Sequence, residues 1–147
     1  MDYLITLAPS IIAALTLLFA YLQNRDNNKS HMKKFAYEKR VEALRELYEY
    51  VSDFSSVSMA LLQIRDEQPN SDNIMPVYRA WSERYDKLDA VYRKNAAFIP
   101  DSVDAIYRNR KKAKVYTSPN PPTEEILNQI ESYDEAILKE IKKYINR

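Results

Sequence analysis

Two hydrophobic patterns divide the chain. From Tyr3 to Leu22 the run YLITLAPSIIAALTLLFAYL is apolar almost throughout and carries no charge, whereas beyond Ser30 apolar residues recur only at helical spacing among charged ones. A helix over the first run, at about 1.5 Å per residue, matches a hydrocarbon core roughly 30 Å thick. This predicts one N-terminal transmembrane helix within residues 1–24. Asp2 is the only charged side chain before the run, while Arg25, Lys29, Lys33, Lys34, Lys39 and Arg40 follow it. That asymmetry predicts an outer N-terminus and a cytoplasmic C-terminal part, with Tyr3 and Tyr21 at headgroup level.

Residues 25–34 read as a polar, basic juncture and residues 35–147 as a cytosolic helical domain. Tyr37, Val41, Leu44, Tyr48, Val51, Ser55, Ser58 and Leu62 alternate at spacings of four and three, and Leu47, Phe54 and Leu61 widen the stripe. This is the pattern of a bundle helix seated against several neighbours. Pro69 ends it, and PNSDNIMP connects it to a second helix that begins near Pro76 and runs to about Phe98, with Tyr78, Trp81, Tyr85, Leu88 and Tyr92 on one face. After Pro100, Asp101 or Ser102 is the expected cap of a shorter third helix through Val103, Ile106 and Tyr107. TSPNPPT is a loop, and Thr123 caps a last helix with Ile126, Ile130, Tyr133, Ile137, Ile141 and Tyr144 on its apolar side. No segment sustains the period of a strand. The fold class is therefore all-α, one transmembrane helix followed by a cytosolic antiparallel bundle of about four helices.

The apolar run is uneven around its circumference. At 100° per residue Thr6, Ser10, Ala13, Leu17, Ala20 and Asn24 share one sector. Two readings explain this small, hydroxylated stripe: close helix–helix packing, or the lining of a narrow pore in a homo-oligomer, with Asn24 near its cytosolic mouth.

Composition narrows the chemistry. Glycine is absent, which removes the phosphate-cradling loops that depend on it, and cysteine is absent, which removes thiolate nucleophiles, disulfides and cysteine-bound metals. The sole histidine, His31, lies beside Lys33 and Lys34 in the juncture, away from any carboxylate cluster. No catalytic residues, metal or cofactor are expected, and the chain is read as a non-enzyme. With 22 basic and 21 acidic residues nearly balanced, charge has meaning only by segment. YRNRKKAKVY concentrates Arg108, Arg110, Lys111, Lys112 and Lys114 between Tyr107 and Tyr116 with no acid from Ala105 through Pro122. Such cations neutralise phosphates and adjacent tyrosines stack on bases, so this stretch is a candidate site for a single-stranded oligonucleotide or nucleotide. A solvated helix end, carboxylates elsewhere in the bundle and anionic lipid headgroups are the competing explanations.

The layout of a short outer tail, a span with small polar residues in TLAPSIIAALTLLFAYLQNR, and a helical domain with a late basic stretch resembles small membrane effectors of bacterial anti-phage operons, in particular the channel-type effector of Hailong-like systems. The resemblance implies a homo-oligomer in the bacterial inner membrane that forms or gates a pore under control of its cytosolic domain, with a nucleic-acid-type messenger as its signal. Thr6, Ser10, Ala13 and Ala20 would then line or pack the pore, and Arg108, Arg110, Lys111, Lys112 and Lys114 would meet phosphates. The alternative is a tethered adaptor whose bundle binds a partner or regulatory protein. A holin-like or exclusion factor encoded by a phage is a third.

Overall fold

The computed structural model describes the backbone of residues 2–67, 74–114 and 122–146 and the side chains of residues 15–65, 74–113 and 122–146. The described backbone is almost wholly helical: α1 spans Asp2–Glu67, α2 Ile74–Asn95, α3 Asp101–Lys114 and α4 Glu124–Ile145. A 3-10 turn, Ala96–Phe98, follows α2. There is no strand among the described residues. The chain separates into two compact units, Met1–Glu38 and Lys39–Arg147, and α1 contributes to both.

The transmembrane expectation is corrected. Among the described residues no helix is long and apolar enough to cross a membrane. After Leu22 the same helix continues into Gln23, Asn24, Arg25 and Asp26. The single-pass anchor, the orientation derived from it and the inner-membrane placement are withdrawn together. The polar juncture at residues 25–34 is helical rather than a break, being part of α1.

The second unit is a four-helix bundle. Along α1 the fully buried residues are Leu44, Leu47, Val51, Phe54, Ser58 and Leu61, alternating by three and four, while Tyr48 and Ser55 are only half-buried and Tyr37, in the first unit, is exposed. The bulkiest side chains thus take the centre of the stripe, and the flanking heptad positions lie at its rim. α2 buries Trp81, Tyr85 and Leu88, and α4 buries Leu127, Ile130, Asp134, Ile137 and Ile141. Each fully buried large apolar side chain contributes about 1.5–3 kcal/mol over its exposed state.

Side-chain pairings give the direction of every helix. Glu46 meets Lys94 and Asn95 while Asp53 meets Arg84, so α1 and α2 run oppositely. Tyr92 pairs with Asp104 and Asp89 with Lys111, which reverses α3 against α2. Ser102 meets Tyr144 and Arg110 meets Asp134, which reverses α4 against α3. Tyr48 lies beneath Lys142, and Arg65 donates to the carbonyl of Pro122, closing α4 back onto α1. The result is an up-down-up-down square in which every neighbour is antiparallel.

Helix starts follow local chemistry. Thr123 is the N-cap of α4, its hydroxyl accepting the N–H of Ile126 at 3.3 Å, with Glu124 and Glu125 in the first turn against the positive end of the dipole. α3 begins at Asp101 itself rather than after it. The Pro100 carbonyl accepts the N–H groups of Val103 and Asp104 at 3.0 and 2.9 Å, so Pro100 holds the position expected of Asp101 or Ser102.

Candidate functional site

Two features stand out chemically, a buried ionic node in the bundle and an apolar face left exposed on the first unit.

The node arises because α3 places a cation where its apolar stripe should continue. Val103, Tyr107, Arg110 and Ala113 are all buried, Arg110 fully so. On α4 the corresponding interruption is Asp134, also fully buried, in the series Leu127, Ile130, Asp134, Ile137 and Ile141. Arg110 Nε donates to Asp134 Oδ1. The guanidinium carbon lies 4.4 Å from the ring centre of Phe54, 5.2 Å from that of Tyr85 and 5.8 Å from that of Tyr107. One side chain therefore contacts residues of all four helices, combining an ion pair with attraction to ring faces.

The node is under-satisfied. Both terminal nitrogens of Arg110, Asp134 Oδ2 and the Tyr107 hydroxyl are buried with no hydrogen-bond partner among the described residues. Burial pushes the Asp134 carboxyl up to about 6, and Arg110 pulls it back only in part. Burial likewise raises the Tyr107 hydroxyl well above the ordinary tyrosine range and pushes that of Tyr85 up as well, against the pull of the same cation. Arg110 thus acts as a structural cation inside the bundle, surrounded by groups that resist ionisation.

A second polar pairing lies close by on the same core. Trp81 Nε1 donates to Ser58 Oγ at 3.0 Å, and Ser58 in turn donates to the Phe54 carbonyl at 3.2 Å. The hydroxyl at an apolar heptad position is there to receive the indole of α2.

The basic stretch on α3 does not form a common cationic face. Tyr107 and Arg110 point into the core, and Tyr107 stacks on Tyr92 with centroids 3.9 Å apart. Arg108 pairs with Asp104 at 2.8 Å one turn earlier. Lys111 reaches Asp89 of α2 at 2.9 Å, and the same carboxylate accepts Arg93 at 2.9 Å. Lys112 lies exposed beside a hollow of about 380 Å³ that it lines with Asn109, Glu125, Gln129 and Tyr133. The side chain of Lys114 and the whole of Tyr116 lie outside the described residues. The stretch thus finds its carboxylates one turn back on α3, at Asp104, and across the bundle on α2 and α4, at Asp89 and Asp134. His31 is exposed, and among the described residues no group of three or more His, Asp or Glu is placed to hold a metal ion.

On the first unit, Leu17, Ala20 and Asn24 of the small-residue sector are exposed, while the side chains of Thr6, Ser10 and Ala13 lie outside the described residues. The more conspicuous property is the bulk left uncovered around them. Leu15, Leu17, Leu18, Phe19 and Tyr21 expose between 56% and 72% of their surface, and Met32 and Phe35 expose 68% and 54%. Single exposed apolar side chains are ordinary, but this many large ones on one short helical stretch call for an explanation.

Comparison with known proteins finds no matching family model, no similar curated protein and no similar solved structure. Function is therefore argued from these features alone.

Proposed function

We propose that this protein is a homo-oligomeric helical adaptor, in which the Met1–Glu38 unit gathers copies of the chain and the Lys39–Arg147 bundle is the head that binds a partner protein. The observation that supports it is the run of large apolar side chains exposed from Leu15 to Leu22, with Met32 and Phe35 beyond. A helix apolar on nearly every side is stable in water only when other protein surrounds it. The bundle has its own sealed core and ion-paired surface and does not require that cover. An oligomer bearing helical heads is also what the resemblance to Hailong-type effectors implies, and it is the part of that expectation carried forward. The pore is dropped with the span on which it depends.

The test is sedimentation equilibrium of the full chain in detergent-free buffer. A discrete oligomer of fixed mass supports the reading. A monodisperse monomer, or a chain that stays dispersed only with detergent or lipid vesicles, overturns it.

A further inference from the structure

We infer that copies join side by side and in parallel along α1 between Leu15 and Phe35, in an assembly of more than two chains, with Arg25 and Asn28 forming a polar layer that fixes the register. This rests on the oligomer reading above and specifies its contact.

Leu18, Tyr21, Arg25, Asn28, Met32 and Phe35 alternate by three and four, the spacing of core positions in packed parallel helices. Four of the six are large and apolar, and all four are more than half exposed. Leu15 and Leu22 flank the seam on one side and Leu17 on the other. At 100° per residue these five residues of the first block, Leu15 to Leu22, cover about 160° of the helix, wider than the stripe of a two-stranded coiled coil. A helix with so wide a seam contacts two neighbours, so three or more chains are needed.

At roughly 100 Å² of exposed side chain each, Leu15, Leu17, Leu18, Tyr21, Leu22, Met32 and Phe35 offer on the order of 700 Å² per copy. Shared between two neighbours this is about 350 Å² per contact, below the ~800 Å² of a standard two-partner interface, so the closed set of contacts rather than any one pair holds the assembly.

Charge selects the direction. A parallel, unshifted alignment sets the Leu15–Leu22 block against itself, Met32 and Phe35 against themselves, and Arg25 with Asn28 between them. Arg25 has Asp26 within 3.9 Å, so each copy brings counter-charge to the layer it would repeat. A reversed alignment would press Lys29 and Lys33, which share the side of the helix that carries Leu15 and Leu22, onto the leucines. A polar pair inside an apolar seam costs stability but admits one register, because any slip buries it against leucine.

The chain has no cysteine, so one introduced thiol reports one position. Leu18→Cys lies on the seam and Asn27→Cys nearly opposite it. Under mild oxidation of the full chain, Leu18→Cys is expected to form a disulfide-linked dimer on a non-reducing gel, at least tenfold more than Asn27→Cys. Sedimentation should give a mass of at least three chains for the reduced protein. Arg25→Leu is expected to keep the chains together and to broaden the mass into several species. Equal cross-linking at both sites, or none at Leu18→Cys in a chain that sediments as an oligomer, sinks the seam and leaves the oligomer reading standing. A monomeric chain sinks both.

Discussion

Removing Arg110 alone should damage the bundle far more than removing Arg110 and Asp134 together. Arg110→Met keeps much of the packing volume but strands the Asp134 carboxylate in a fully buried site with no second donor among the described residues. Breaking a buried pair on one side costs about 3–5 kcal/mol, whereas replacing both members with apolar residues of similar size is close to neutral. We expect Arg110→Met and Asp134→Leu each to lower the unfolding free energy of the full chain by about 3 kcal/mol or more at pH 7.5. In a domain of this size that is a fall in Tm of more than about 10 °C. The double variant should return to within about 1 kcal/mol of the parent.

The assay is urea unfolding at fixed protein concentration, followed by the emission of Trp81, the only tryptophan, which is fully buried in the core. Proton linkage adds a second readout. Asp134 titrates at about 6 in the fold against an ordinary 3.8, so the folded state holds that proton more tightly than the unfolded chain. Its contribution to stability is full below pH 3.8 and is lost as pH rises through 6, a difference on the order of 3 kcal/mol. The parent minus Asp134→Asn should show that loss, and Arg110→Met, lacking the cation that holds the carboxyl down, should show a steeper one. Single variants costing under 1 kcal/mol, or a double variant as unstable as the two singles added, would refute the account of the node as a buried, coupled pair.

Three further outcomes follow from the same contacts. Ser58→Ala leaves the buried indole N–H of Trp81 without its hydroxyl acceptor and should cost about 1–3 kcal/mol in the same urea titration. Thr123→Ala removes the side-chain cap of α4 and should cost about 0.5–2 kcal/mol, with Thr123→Ser restoring most of it. Phe54→Ala removes the ring nearest Arg110 and opens a core cavity, for a loss of about 3–5 kcal/mol and a red shift of the native Trp81 emission, since the two rings lie 5.3 Å apart.

The helices of the bundle were legible because their signals are local. Proline at 69 and 100, Thr123 ahead of two glutamates, and apolar residues spaced by three and four each act within a turn or two of themselves. What each helix buries was less legible, because burial is decided across helices. Leu47, Phe54 and Leu61 widen the stripe in the sequence and lie at its centre in the fold, since they point to the middle of the bundle, between the flanking α2 and α4. Asp134 carries no apolar signal of its own, although 127, 130, 134, 137 and 141 form a cleaner heptad series than Ile126, Ile130, Tyr133, Ile137, Ile141 and Tyr144. One acid in that series and one arginine in the series of α3 was the available sign of a buried pair. The partners of the basic stretch were hard to place for the same reason. Two of its acids, Asp89 and Asp134, stand 22 and 24 residues away from the cations they meet, while Asp104 lies one turn from Arg108. The charge-free run at the N-terminus predicts a span by its length, and among the described residues no helix is long and apolar enough to be one.

Arg110 touches Phe54, Tyr85, Tyr107 and Asp134, one or more residues from every helix of the bundle. Evolutionary drift at these five positions is therefore expected to be correlated. A lineage that loses the acid passes through a strongly destabilised intermediate unless the arginine changes at nearly the same time, and enlarging any of the rings displaces the guanidinium from the acid. Relatives sharing this bundle should fall into two groups, one with arginine and aspartate together and one with two apolar residues, with few sequences between. That coupled pattern would identify the bundle in homologues whose surfaces have diverged beyond recognition.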